Sequence, residues 1–289
     1  MRHACRFLLL VALIQLAPAA SPLFAQTFTT IEFPGATRTD LTEITDDGVI
    51  GGEYLDASGT RHGFTWSGGV FTTVDVPGAI RTRLSGLSNS GVAVGGFAYA
   101  DDVDHGFVLQ DGVFAVIDVP GATLTRVTAI NGAGSFAGDY KDAGGATHGF
   151  FLSGGIFTNI DVPFARGTRA FAMNNQAEIV GDYFDGAIHG FLFSRRQFVS
   201  IDVPGAQTTE AFGLNERGEI AGRYDSGAGC PFPPCLLGFS LRKGSFTTIQ
   251  IPGAVRTEAF GINSSGVIVG SYLDGSPLRY RGFVMVPEE

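Results

Sequence analysis

Three groups of residues in this chain have the types and the spacing to do chemistry. The first is a column of charges recurring about every 43 residues: Asp40, Arg83, Arg126, Arg169, Glu210 and Glu258. Arranged around a ring, three adjacent guanidinium groups would face three adjacent carboxylates, and the arginines would be placed to hold a carboxylate or a phosphate. The competing expectation is that these six charges pair across neighbouring units and seal a channel. The second group is His62, His105, His148 and His189, which share one position of the same repeat, with Leu237 and Arg281 in the remaining two copies. Imidazole is the commonest metal ligand. Equivalent positions of separate units nevertheless lie a whole unit apart, so the expectation is a repeated hydrogen bond to blade backbone and no metal site. The third is Cys230 and Cys235 in Cys-Pro-Phe-Pro-Pro-Cys, read as a disulfide stapling a long loop that needs a turn or a cis proline to close. Phe232 at the tip of that loop is a candidate binding knob.

Other chemistry is not signalled. Asp56, Asp142, Asp185 and Asp274 follow an aromatic by two residues, but without a clustered D-x-D-x-D loop they read as turn caps. There is no G-x-S-x-G, H-E-x-x-H or phosphate-cradling glycine loop, so no catalytic residue and no cofactor is assigned.

The columns belong to six copies of one phrase. Pro34, Pro77, Pro120, Pro163, Pro204 and Pro252 close segments of the type FTTIDVPGA, at spacings of 43, 43, 43, 41 and 48 residues, a period typical of propellers and solenoids. Five residues after each proline stands a threonine, and eighteen after it a glycine, Gly52, Gly95, Gly138, Gly181, Gly222 and Gly270, followed two positions later by Tyr or Phe. Each copy predicts four short strands. A small inner strand, placed at Ala259 to Asn263 in the last copy, ends in an N-x-x-G turn. A β-branched second strand follows, then a third opening with His-Gly-Phe whose alternate aromatics form the packing layer between units. The fourth ends in proline, which suits an outer edge. All variation in length falls in the loop between the second and third strands, so one face of the molecule is uniform and the other is free to specialise.

The sixth copy lacks a fourth strand, and the spare one, Phe28 to Pro34, stands ahead of the first copy. The expected fold is therefore all-β: a six-bladed β-propeller of four-stranded blades, its N-terminal strand completing the last blade, with an open β-solenoid as the alternative.

Residues 1–25 read as a secretory signal, with Arg2 and Arg6 before the apolar Phe7 to Leu16 and cleavage after Ala25 or Ala19. Residues 26–289 are read as one propeller domain. A net charge of −9 argues against nucleic acid as a partner, and no second apolar span suggests a membrane anchor.

The His-Gly-Phe, G-x-Y and FTTIDVPGA phrases resemble the HAF-repeat family of predicted bacterial extracellular proteins across essentially all of residues 26–289. Glycine replaces the alanine of the family's His-Ala-Phe at Gly63, Gly106, Gly149 and Gly190. The resemblance implies export and repetition and transfers no catalytic residue.

The expected function is a secreted or periplasmic, monomeric, non-catalytic module that binds a carbohydrate or a protein on the variable face. A hydrolase or lyase acting on anionic sugars through the same arginines, and a structural component of the cell envelope, are the alternatives.

Overall fold

The computed structural model describes residues 27–227, 233–275 and 278–287. The signal segment, Cys230 and Phe232 lie outside the described residues. All regular structure described is β-strand. The first repeat forms β2 (Arg38–Ile44), β3 (Ile50–Leu55), β4 (Arg61–Ser67) and β5 (Val70–Val74), and the second β6 (Arg81–Leu87), β7 (Ala93–Ala98), β8 (Asp104–Gln110) and β9 (Val113–Ile117). The third forms β10 (Leu124–Ile130), β11 (Phe136–Lys141), β12 (Thr147–Ser153) and β13 (Ile156–Ile160), and the fourth β14 (Gly167–Met173), β15 (Ile179–Phe184), β16 (Ile188–Ser194) and β17 (Gln197–Ile201). The fifth forms β18 (Thr208–Leu214), β19 (Ile220–Asp225), β20 (Leu236–Arg242) and β21 (Ser245–Ile249). The sixth contributes β22 (Arg256–Ile262), β23 (Ile268–Gly275) and β24 (Leu278–Val286), and β1 (Thr27–Ile31) precedes them all.

Within each repeat the strands pair antiparallel in chain order, inner to outer. In the sixth, β1 supplies the outer strand: Thr27 pairs with Val286 and Ile31 with Gly282. The inner strand β2 packs on β22, β23 and β24, which brings the first repeat against the last. The fold is an all-β propeller. The third and fourth repeats share one eight-stranded sheet through a single parallel pair, Thr147 with Gly167.

Three repeated demands explain the sequence columns. Each threonine five residues after the proline accepts, at its hydroxyl, the backbone N–H of the residue before that proline: Val76 to Thr82 at 3.0 Å, Val119 to Thr125 at 3.1 Å, Ile251 to Thr257 at 3.1 Å. The bond satisfies a donor left behind as the outer strand ends and ties that strand to the next inner one. Each glycine eighteen residues on lets the third-strand phenylalanine lie flat on the inner strand. A Cβ at Gly95 would stand 1.9 Å from the Arg83 carbonyl oxygen and 2.7 Å from the Phe107 ring. The phenylalanines so seated, Phe64, Phe107, Phe150, Phe191, Phe239 and Phe283, are fully buried, each contributing about 1.5 to 3 kcal/mol.

The inner strands begin earlier than the sequence suggested. β22 starts at Arg256 rather than at Ala259, because the cross-strand ladder with β23 continues to Leu273. The charged column is consequently carried inside the inner strand and not ahead of it. Every inner strand also holds a β-bulge, leaving Thr42, Ser85, Thr128, Phe171, Phe212 and Phe260 unpaired between the two halves of the ladder. A bulge re-aims the side chain at that point, and these six turn into the central channel.

Candidate functional site

The channel opens on the variable face through a cavity of about 290 Å³. Its walls are the bulged residues: Phe171, Phe212 and Phe260 form an apolar half, with ring centroids 4.9 and 5.3 Å apart along the row, and Thr42, Ser85 and Thr128 form a hydroxyl half. Nothing in a straight-strand reading prevented finding them, since they lie two residues beyond the charged column and so on its face.

Above this floor sits the ring of charges, and its members are paired. Arg126 donates from Nε to Asp104 at 2.9 Å, across the boundary between the second and third repeats. Arg83 reaches the same carboxylate at 3.5 Å, and Arg81 donates to it at 2.8 Å. Burial alone would raise the Asp104 pKa, but the three arginines outweigh it and hold the carboxyl below its ordinary value. Arg169 bonds Asp182 and lies 3.4 Å from Glu210 of the next repeat. Arg223 bonds Glu210 and donates to Glu258 of the sixth repeat at 2.7 Å. Arg38 pairs with Asp40 and Arg61 with Glu53. Arg83, Arg126 and Arg169 are all engaged with buried carboxylates, but among the described residues only Arg169 and Glu210 pair two of the six column charges across neighbouring repeats.

Sequence reading missed half of this ring. The middle residue of each G-x-Y phrase, Glu53, Gly96, Asp139, Asp182, Arg223 and Ser271, lies directly across the ladder from the first column. The signal was present as opposite signs at paired positions: Arg126 with Asp139, Arg169 with Asp182, Glu210 with Arg223. Burial pushes Asp139 up, and it pushes Asp182 up to about 6, with Arg169 offsetting part of the effect.

The histidines do not converge. Each stacks beside the aromatic of the second strand, His62 on Tyr54 at 4.9 Å and His148 on Tyr140 at 5.1 Å. The expected backbone partner is replaced by a side chain: Nδ1 meets the aspartate two residues before the anchoring proline, Asp75, Asp118, Asp161 and Asp202, at 2.8, 2.8, 3.0 and 2.8 Å. The outer strand's final residues pass within reach of the third strand's first, so a carboxylate satisfies the ring nitrogen better than a carbonyl committed to the ladder. In the sixth repeat Arg281 takes the histidine's place and Glu32 the aspartate's, 2.8 Å apart. In the fifth, Leu237 is matched by the uncharged Gln250. For His148, burial lowers the pKa, but Asp161 and Asp142 more than compensate and leave it raised. Among the described residues no group of histidine, cysteine and carboxylate side chains could hold a metal ion.

Asp56 caps its loop as expected, accepting the N–H groups of Ser58 and Thr60 at 2.8 Å each. In the fifth-repeat loop the Pro233–Pro234 peptide is cis. The proposed disulfide and the Phe232 knob involve residues outside those described.

At the opposite mouth, on the face of tight turns, a second cavity of about 350 Å³ is lined by Glu43, Asp46 and Glu216 among amides. Glu43 stands where the other repeats have Gly86, Ala129, Ala172, Gly213 and Gly261. Burial raises its pKa to about 8, against a bond from the Ile44 N–H.

No family model matches the chain, and no curated protein matches it either. Solved structures do. A mutant of the Aleuria aurantia lectin in complex with Fucalpha1-6GlcNAc superimposes with a TM-score of 0.52 at 13% identity, over 87% of this chain and 96% of the lectin. SapL1 lectin in complex with alpha methyl fucoside gives 0.55 at 10% identity, over 88% and 96%. TolB from Acinetobacter baumannii gives 0.53 at 10% identity, over 87% of this chain and 63% of TolB. At such identities the likeness is one of fold.

Proposed function

We propose that this chain is an exported, six-bladed β-propeller that binds carbohydrate, without catalysis, at the channel mouth of its variable face. The observation carrying this reading is the divided channel cavity. A pyranose presents an apolar C–H face and a rim of hydroxyl groups that both donate and accept hydrogen bonds. Phe171, Phe212 and Phe260 offer the first a surface, and Thr42, Ser85, Thr128 and the paired charges offer the second its partners. Such a mix of apolar wall and a few convergent polar groups is the usual character of a small-molecule site. The fold shared with two lectins bound to fucose-containing ligands is consistent with it.

In this reading the ion pairs keep the guanidinium and carboxylate groups oriented in the absence of ligand, so little ordering remains to oppose binding. A thermal-shift screen of the full chain against neutral and acidic saccharides tests it. A saccharide at about 100 times its Kd should add about 2.7 kcal/mol, and Phe212→Ala should abolish the shift. A shift retained in that variant, or absent for all saccharides, contradicts the reading.

A further inference from the structure

One connection departs from the pattern that the other repeats keep. Residue 164, between the outer strand of the third repeat and the inner strand of the fourth, is phenylalanine where the other copies have Gly35, Gly78, Gly121, Gly205 and Gly253. Those glycines adopt φ between 78 and 82°, and Phe164 is held in the same left-handed region at φ 69°, the residue 101% exposed. Left-handed backbone is unfavourable for a residue bearing a Cβ, and strain of this kind gathers at functional sites. The exposed ring recovers nothing through burial. Neither local conformation nor packing therefore accounts for an aromatic here.

Its surroundings suggest what does. Two residues on, Arg166 lies over the ring of Phe184 at 6.0 Å, and Phe184 is itself 43% exposed. Both line a cleft of about 380 Å³ between the third and fourth repeats, together with Lys141 and the ring members Arg126, Asp139, Arg169 and Asp182. Four cations against two carboxylates make this a basic recess in a chain of net charge −9. Among the described residues Arg166 and Lys141 have no ion-pair partner. Arg126, Asp139 and Arg169 also border the channel cavity, so the two depressions adjoin.

We propose that this cleft is a subsite for an anionic sugar residue of a glycan whose neighbouring residue occupies the channel mouth, with Phe184 as the stacking surface in its lining, Arg166 and Lys141 as the groups that meet the sugar's carboxylate or sulfate, and Phe164, outside the lining but two residues before Arg166, as a further aromatic contact beside it. The inference rests on the carbohydrate reading and narrows it to acidic glycans. A guanidinium fork suits either anion, and an exposed aromatic rim is typical of a recognition surface.

The test is calorimetric titration of the full chain with an oligogalacturonate, a chondroitin sulfate oligosaccharide and a neutral cello-oligosaccharide. At least one acidic probe should bind, the two acidic arms separating a carboxylate from a sulfate preference. Phe164→Gly and Arg166→Ala should each weaken it tenfold or more, and Phe164→Gly, which installs the residue used by the other repeats, should melt no lower than the wild type. Unchanged acidic affinity in both variants overturns the inference. Binding of the neutral probe alone overturns it while leaving the carbohydrate reading intact, and binding of none of the three overturns both.

Discussion

Arg223 joins two repeats: it bonds Glu210 within its own sheet, and its Nη1 donates to Glu258 of the next at 2.7 Å. Burial would lower the guanidinium pKa, but the two carboxylates more than reverse this and raise it. Glu210 and Glu258 are buried, 5% and 4% exposed, and the cation is the ion-pair partner that they share. Arg223→Ala, which removes the ion-pair partner of Glu258 and leaves Glu210 only the more distant Arg169, should destabilise the protein by about 3 kcal/mol. Glu258→Gln, which keeps volume and an acceptor, should cost about 1 kcal/mol. Urea unfolding of the two variants and of the double variant checks this, and purely additive effects would show that the pair does not bridge the repeats.

Two adjacent glycines on β7 offer a sharp contrast. A Cβ at Gly95 would meet the Arg83 carbonyl at 1.9 Å, whereas one at Gly96 would find its nearest neighbour at 3.7 Å. Gly95→Ala should lose about 3 kcal/mol or more through overpacking. Gly96→Ala should stay within about 1 kcal/mol of wild type, helped by the reduced freedom of its unfolded chain. Equal effects in thermal unfolding would refute the role given to the glycine column.

That column and the threonine column were legible in the sequence because symmetry repeats them six times and the reason for each is local, and the displaced first strand was legible as the one copy that the sixth repeat lacks. The histidine partner was less so. His62 and Asp75 are thirteen residues apart, and only the matched exchanges to Arg281 with Glu32, and to Leu237 with Gln250, reveal the link. The channel floor was missed for a different cause. The alternation of a strand already puts these residues on the face of the charged column, but threonine, serine and phenylalanine share the position, so no uniform residue type drew attention to it. Arg83, Arg126 and Arg169 line one cavity, but the carboxylates that engage them come largely from the second and third strands, where a single charged residue inside G-x-Y or ahead of His105 looks like solvated surface.

Glu43 predicts a pH dependence with a definite sign. Its pKa is raised to about 8 in the folded protein, above that of an unfolded glutamate, so the folded state keeps a proton that the unfolded state has released. The contribution is full below the ordinary carboxylate range and is lost as pH climbs through about 8. Melting temperature should therefore decline from pH 5 toward pH 8, and Glu43→Ala, which copies Ala129 and Ala172, should flatten that decline and melt above wild type near pH 8. Parallel profiles for the two proteins would contradict this.

The ladder between β1 and β24 predicts the effect of removing the leading strand. Ile31 is buried and Phe28 meets Phe283 edge-on at 6.0 Å. Deleting residues 28–34 exposes the backbone donors and acceptors of β24 along with this apolar surface, and an uncovered edge of that kind invites pairing between chains. Size-exclusion chromatography should show aggregates and thermal unfolding a large loss of stability. A monomeric, equally stable product would mean that closure is not held by β1.

The central claim is that ligand sits at the channel mouth on the variable face. A crystal structure of the protein with a bound saccharide tests it most directly. The account predicts a sugar ring against Phe212 with its hydroxyl groups within hydrogen-bond distance of Arg126 or Arg169. A saccharide seated instead among Glu43, Asp46 and Glu216 on the turn face, or on the outer strands, would contradict it.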